Sequence, residues 1–213
     1  MKIILQFLII LIPFCANSQS DHFDQKNAIK ISPVEFSRAQ FEMSYERYFG
    51  DRSSSLVLLP SIYLKDDIME SKEGFQLGAQ YRFYLSHVRS DEKSVFLGFH
   101  NVGLYTGVYA QYLDYTEDYQ FYWWDMEKME SVTLGMTKDV TSVEGGAIIG
   151  VQIDITKKIL IDFYIGGGVK YSDLTDTKTD IINPNDYYED VSVFDPEYKG
   201  VKPKLGFQLG FLF

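Results

Sequence analysis

The alternation of apolar and polar residues is clearest at the carboxy-terminal end. Leu205, Phe207, Leu209, Phe211 and Phe213 fall on one face of an extended chain, and Lys204, Gly206, Gln208 and Gly210 on the other. A repeat of two marks a strand with unlike faces. A strand with one wholly apolar face must be covered or immersed in lipid. The same repeat predicts strands over residues 28–36, 40–49, 54–64, 74–85, 95–115, 144–155 and 159–171, with 201–213 as the eighth. Residues 74–85 alternate most cleanly. In 95–115 the apolar parity switches after Phe99, which predicts a bulge near Asn101–Gly103, because one extra residue exchanges the faces.

An all-β architecture follows: an eight-stranded antiparallel up-and-down transmembrane β-barrel. Loop lengths agree with it. If both termini face the periplasm, the turns at 50–53, 86–94 and 156–158 are periplasmic and short. The long connections, 116–142 and 172–200, then face outward, as in outer-membrane barrels. The short turn at 37–39 is the exception. A secreted lipocalin-like barrel has the same periodicity with the faces inverted, apolar inside and polar outside. Three features favour the membrane version. They are the aromatic carboxy-terminus, tyrosines near strand ends (Tyr48, Tyr63, Tyr84, Tyr112, Tyr115, Tyr171), and glycines repeated on the polar face.

Residues 1–18 read as a signal peptide. Lys2 is followed by the apolar run 3–14, and Ala16-Asn17-Ser18 offers small residues for cleavage before Gln19. The apolar run is too short for a permanent membrane helix. Phe14 before Cys15 argues against lipidation, so the only cysteine leaves with the signal. Residues 19–213 then form one outer-membrane β-barrel domain in the cell outer membrane. Aromatic residues make up 16% of the chain, which suits interfacial girdles. The net charge of −10 argues against a nucleic-acid partner.

The run Asn27-Ala28-Ile29-Lys30-Ile31-Ser32-Pro33, followed by Ser44-Tyr45-Glu46-Arg47, resembles small outer-membrane β-barrel proteins of Bacteroidota, a domain of unknown function. The resemblance implies an outer-membrane barrel and no settled activity. It departs after Pro33, where Glu35 and Arg38 replace a Leu-rich run.

The polar faces place Lys30, Glu42, Glu46, Arg82, Asp154, Asp162, Lys170, Lys202 and Lys204 inward, with Lys202 and Lys204 expected beside Lys30. Eight strands leave an interior just wide enough for side chains, so these charges read first as a sealing network and second as an ion or proton path. Tyr119, Phe121, Tyr122, Trp123 and Trp124 form an aromatic cluster in the 116–142 loop, a surface for sugar or protein, or an anchor on lipid headgroups. Asp173, Asp176, Asp180, Asp186, Glu189 and Asp190 crowd the 172–200 loop, but their spacing matches no defined calcium loop. Gly166-Gly167-Gly168 lacks the following Lys-Ser/Thr of a phosphate loop.

Catalysis needs a base near a substrate, and no histidine meets that condition. His22 lies in the amino-terminal lead, His87 in a periplasmic turn, and His100 near the periplasmic start of its strand. The reading is a structural or surface-binding barrel without turnover, cofactor or metal. A narrow transport pore and a lipid-modifying enzyme are the alternatives. The partners are outer-membrane lipid and lipopolysaccharide, and barrel-assembly machinery through the closing strand. The external ligand is not specified.

Overall fold

The computed structural model describes residues 25–66, 70–89, 99–125, 130–178 and 198–213, with the backbone alone at 66, 70, 88–89, 119–125, 130–134, 136 and 176–178. Residues 1–18, expected to be a signal peptide, and Asp180, Asp186, Glu189 and Asp190 lie outside these residues. Eight strands run β1 (Asn27–Ile31), β2 (Gln40–Phe49), β3 (Ser54–Asp66), β4 (Glu70–Arg89), β5 (Asn101–Asp125), β6 (Glu130–Asp154), β7 (Ile159–Lys178) and β8 (Gly200–Leu212). Each pairs with its neighbours in chain order, and β1 with β8, to close an up-and-down antiparallel barrel. Asn27 and Phe213 join the seam, with Phe213 N–H donating to Asn27 O at 2.9 Å and Asn27 N–H to Phe213 O at 3.1 Å.

The apolar faces point outward and the polar faces inward, the reverse of the lipocalin-like arrangement. Leu205 is 62% exposed and Phe211 48%, whereas Gln208 between them is fully buried. The same division holds round the ring. Leu58, Phe83, Val108, Ile149 and Ile165 face out, while Lys30, Glu46, Arg82 and Asp162 face in. An interior of charge inside an exterior of hydrocarbon inverts the usual arrangement of a water-soluble protein.

Several expected boundaries are corrected. β1 ends at Ile31, five residues before the expected limit, because Pro33 opens a 3₁₀ helix over Pro33–Arg38. Proline suits a helix start, since its missing N–H would have no partner there. Ala39 then turns the chain in the left-handed region at φ 56° and feeds β2. β5 and β6 are 25 residues each, so most of the expected 116–142 loop is strand. β7 likewise runs on to Lys178. The irregularity expected at Asn101–Gly103 lies instead in β4, between Tyr84 and Ser86. Phe99 precedes β5, so the parity switch needs no bulge inside that strand.

Two histidines shift for the same reason. His87 belongs to β4, opposite Gly103 of β5, and not to a turn. His100 stands just before β5 rather than five residues within it.

Four of the six tyrosines read as interfacial do not serve that purpose. Tyr48, Tyr63 and Tyr115 are buried and Tyr84 is half-buried on the lumen side, while Tyr112 and Tyr171 are exposed. The lumen makes room for such rings with glycine. Tyr105 stands opposite Gly150, and Tyr164 between Gly150 and Gly206. A Cβ on Gly206 would lie 1.9 Å from the Tyr164 ring, and one on Gly150 2.4 Å from Tyr105. The repeated glycines of the polar face are therefore seats for cross-strand aromatic rings.

Candidate functional site

The lumen is built in layers, and its central layer is a neutral quartet. Lys30 on β1 and Arg82 on β4 meet Glu46 on β2 and Asp162 on β7. The Lys30 ammonium lies 2.5 Å from both Glu46 Oε2 and Asp162 Oδ2. Arg82 Nη1 donates to Asp162 Oδ2 at 2.6 Å and stands 3.6 Å from Glu46 Oε1. All four side chains have no solvent exposure. Burying an ion costs several kcal/mol unless opposite charge and hydrogen bonds compensate it (about 20 kcal/mol in the idealised dry limit).

The remaining lone pairs are taken up. Tyr105 OH donates to Asp162 Oδ1 at 2.6 Å. Ser55 Oγ and Tyr48 OH donate to Glu46 at 2.5 and 3.0 Å. Gln80 Oε1 accepts from Arg82 Nε and Nη2. Arg82 also lies 4.4 Å from the centroid of the Tyr105 ring. β8 contributes space rather than a polar group, since a Cβ on Gly210 would sit 2.8 Å from Lys30 Cγ.

Towards the end that holds Asn27 and Phe213, a second pair crosses the lumen. Arg52 Nη1 donates to Asp154 Oδ2 at 2.7 Å, and Asn101 Nδ2 reaches the same oxygen at 3.1 Å. Arg52 comes from the turn after β2, at φ 57°, and its guanidinium covers the Tyr48 ring at 4.8 Å. Gln152 links the two layers, donating to Tyr48 OH at 2.7 Å and accepting from Tyr84 OH at 2.7 Å.

The far half is looser. Glu42 accepts from Ser32 Oγ at 2.5 Å, and Gln208 Nε2 donates to that hydroxyl at 3.1 Å. Lys204 Nζ donates to Gln111 Oε1 at 2.6 Å and sits 4.5 Å over the Tyr109 ring. Lys202 approaches Glu144 at 3.5 Å, which also accepts from Tyr109 OH at 2.7 Å. Lys170 is buried on β7, opposite Glu144 in register.

All nine expected lumen charges therefore turn inward or half-inward, but they do not form one cluster. Lys30, Glu46, Arg82 and Asp162 meet; Asp154 pairs below them; Glu42, Lys170, Lys202 and Lys204 lie above. The expected neighbourhood of Lys202 and Lys204 with Lys30 is wrong. Lys30 stands opposite Gly210, and both lysines lie beyond the last β1 pair.

Sequence reasoning missed Arg52 and Tyr105, and placed Gln152 inward without giving it a role. A turn arginine has no strand parity to reveal its direction. Tyr105 and Gln152 do carry a signal: they share the polar face with Gly103, Gly107 and Gly150.

The aromatic cluster is also relocated. Tyr119, Phe121, Tyr122, Trp123 and Trp124 belong to β5, where they pair in register with Met136, Leu134, Thr133, Val132 and Ser131 of β6. Asp173 is an exposed residue of β7, and Asp176 lies on the same strand.

The Asn-Ala-Ile-Lys and Ser-Tyr-Glu-Arg runs have a joint structural role. Asn27 Oδ1 accepts from Tyr45 OH at 2.8 Å and Arg47 Nη1 at 2.7 Å, while Lys30 binds Glu46. The two runs clamp the first hairpin from both faces. Comparisons with protein-family models, with curated proteins and with solved structures give no match.

Proposed function

We propose that this protein is an integral outer-membrane β-barrel with a plugged lumen, serving a structural or surface-binding role without turnover. The observation that carries this reading is the inversion of the barrel: exposed hydrocarbon on all eight strands around an interior of paired charge. In water the exterior would be an apolar patch far beyond what monomeric proteins expose. In a bilayer it is the solvated face, and ring closure leaves no unsatisfied strand edge where the pairing is complete. The resemblance of the first hairpin to Bacteroidota outer-membrane proteins points the same way.

In this reading the short turns and the termini face the periplasm, and the β5–β6 extension projects outward. The closing β8, ending in Phe213, is the strand offered to the assembly machinery, and lipid and lipopolysaccharide are the surroundings. The quartet argues against the narrow-pore alternative, since four unexposed charged groups span the lumen. A lipid-modifying enzyme draws no support from the histidines. His87 Nε2 lies 2.9 Å from Arg52 O at the terminal end, and His100 stands at that same end.

The test is heat modifiability in the membrane fraction. The unboiled protein should migrate differently from the boiled one and resist extraction by carbonate. Recovery in the aqueous phase without detergent refutes the reading. Planar-bilayer recordings of the purified barrel should show no steady ion steps, and lipid A mass profiles should be unchanged by its presence.

A further inference from the structure

The outward face of the strands separates charge by sign and by end. Among the described side chains, its acidic positions are Glu73 on β4, Asp114 and Asp118 on β5, Asp139 on β6 and Asp173 on β7. All lie away from the end that holds Asn27 and Phe213. Neighbouring strands set them in rows: Asp114 pairs with Thr141 and Thr141 with Asp173, while Glu73 pairs with Thr116 and Thr116 with Asp139. The one cation on the outward face, among the same side chains, is Arg47 of β2. It is exposed and stands two residues before β2 ends at Phe49, about 7 Å along the strand. Lys26, Lys157 and Lys158 are exposed at that same end, where Tyr48 N–H donates to Lys26 O and Leu212 N–H to Lys158 O.

Arg47 is oriented by its neighbours. Asn27 Oδ1 accepts from Arg47 Nη1 at 2.7 Å and from Tyr45 OH at 2.8 Å. An arginine only donates, so the amide oxygen is fixed towards it and Asn27 keeps its Nδ2 as a further donor. No carboxylate pairs with Arg47 among the described residues. Its surroundings are hydrocarbon: Leu56 faces it in register, and Phe49 and Leu58 are exposed nearby. A cation on the lipid face of a barrel is unfavourable at mid-membrane and tolerated near the headgroups. A charge in such a place calls for a partner, and here only donors are on offer, so the partner must bring acceptors.

We propose that Arg47, oriented by Asn27 and Tyr45, binds the phosphate of a phospholipid in the periplasmic leaflet, with the acyl chains lying towards Leu58 and Ile31. A guanidinium meets phosphate oxygens with two parallel hydrogen bonds. The chains stay on the apolar belt, which is exposed at both positions. One end of the barrel presents basic groups to its leaflet and the other acidic groups, so an anionic lipid is matched at one end only. The inference rests on the membrane reading above, and its test separates the two.

The barrel is first refolded into dioleoylphosphatidylcholine vesicles, with heat modifiability as the check. Failure to insert refutes the membrane reading. A barrel that inserts is carried into maltoside micelles, which hold no phosphate. It is then given dioleoylphosphatidylglycerol or, in parallel, dioleoylglycerol, and bound lipid is counted by native mass spectrometry. The phosphatidylglycerol should be retained and the diacylglycerol lost, although their chains are the same. Equal retention overturns the proposal. So does displacement by an equal concentration of inorganic phosphate, which would make the site one for a free anion.

Arg47→Gln should lower retention about tenfold, the scale of losing charge-assisted contacts. Arg47→Lys should recover part of it, since an ammonium keeps the charge without the fork. Asn27→Ala, which keeps the guanidinium and frees it, should show a smaller loss with heat modifiability unchanged. Lys157→Gln with Lys158→Gln should lower retention about twofold at most. A loss there as large as in Arg47→Gln would assign the binding to the basic rim as a whole and overturn the site. The comparison of the two lipids on the unaltered protein decides the matter even if a variant does not fold.

Discussion

The two halves of the lumen handle charge differently. Towards Asn27 and Phe213, all eight strands are paired, each cation meets a carboxylate, and the side chains of the quartet have no exposure. In the far half, β1 is missing, Lys204 donates to the Gln111 amide with Glu144 and Glu42 as its charged neighbours, and Glu42 is held directly by a hydroxyl and an amide. Ring closure is what permits the first arrangement. Opposed strands hold donors and acceptors at fixed separation across a narrow interior, so buried charges find partners without reorganising. Where the wall lacks a strand, that geometry is lost and the charges settle for weaker contacts. The closed half reads as a plug.

The contrast can be broken most severely at the quartet. Asp162→Ala should destabilise the barrel by about 3–5 kcal/mol, because it leaves Lys30 and Arg82 sharing one carboxylate in a buried site. Urea unfolding in lipid vesicles, read by tyrosine and tryptophan fluorescence, measures this. The same substitution should not open a steady conductance if the second layer, Arg52 with Asp154, still closes the lumen.

Arg52→Ala comes next. It strips Asp154 of its ion pair at 2.7 Å and uncovers the Tyr48 ring, and it should cost about 3 kcal/mol by the same reasoning. The double variant Asp162→Ala with Arg52→Ala should show ion steps in planar bilayers that neither single variant shows. A single variant that conducts as well as the double one would remove the two-layer description.

Gly206→Val tests the aromatic seats. Its side chain would enter the space of the Tyr164 ring, from which a Cβ alone is only 1.9 Å. Overpacking of this kind should cost about 1–3 kcal/mol. Gly206→Val with Tyr164→Ala should recover part of that loss, measured by the same unfolding experiment.

The smallest effect is expected outside the lumen. Arg38 and Glu35 pair at 3.4 Å on the 3₁₀ helix, with the arginine side chain 54% exposed. Arg38→Ala should change stability by less than about 0.5 kcal/mol. Added salt should screen that pair and leave the quartet untouched. A salt-sensitive quartet would mean that water reaches it.

The sequence was most legible where local geometry decides. The period of two placed β2 at Gln40–Phe49 as expected, and the start of β3 at Ser54 and of β7 at Ile159. It was least legible where extension of a strand depends on its neighbour. Thr133 and Lys138 carry no clear alternation of their own, yet β6 runs through them because β5 holds it in register. Likewise, nothing in Gly50-Asp51-Arg52-Ser53 distinguishes an arginine that enters the barrel from one that stays outside.

By itself the sequence determined that this chain forms antiparallel strands with one apolar and one polar face, since alternation is written into the backbone of a single strand. It also determined which residues share each face. Only the closed ring decided which face is the interior, where β1 ends, and which charges meet. Lys30 and Asp162 are 132 positions apart, and their contact exists because the stagger of the strands around the barrel brings them to one level. Parity is a property of neighbouring residues, whereas partnership across the lumen is a property of the whole circuit.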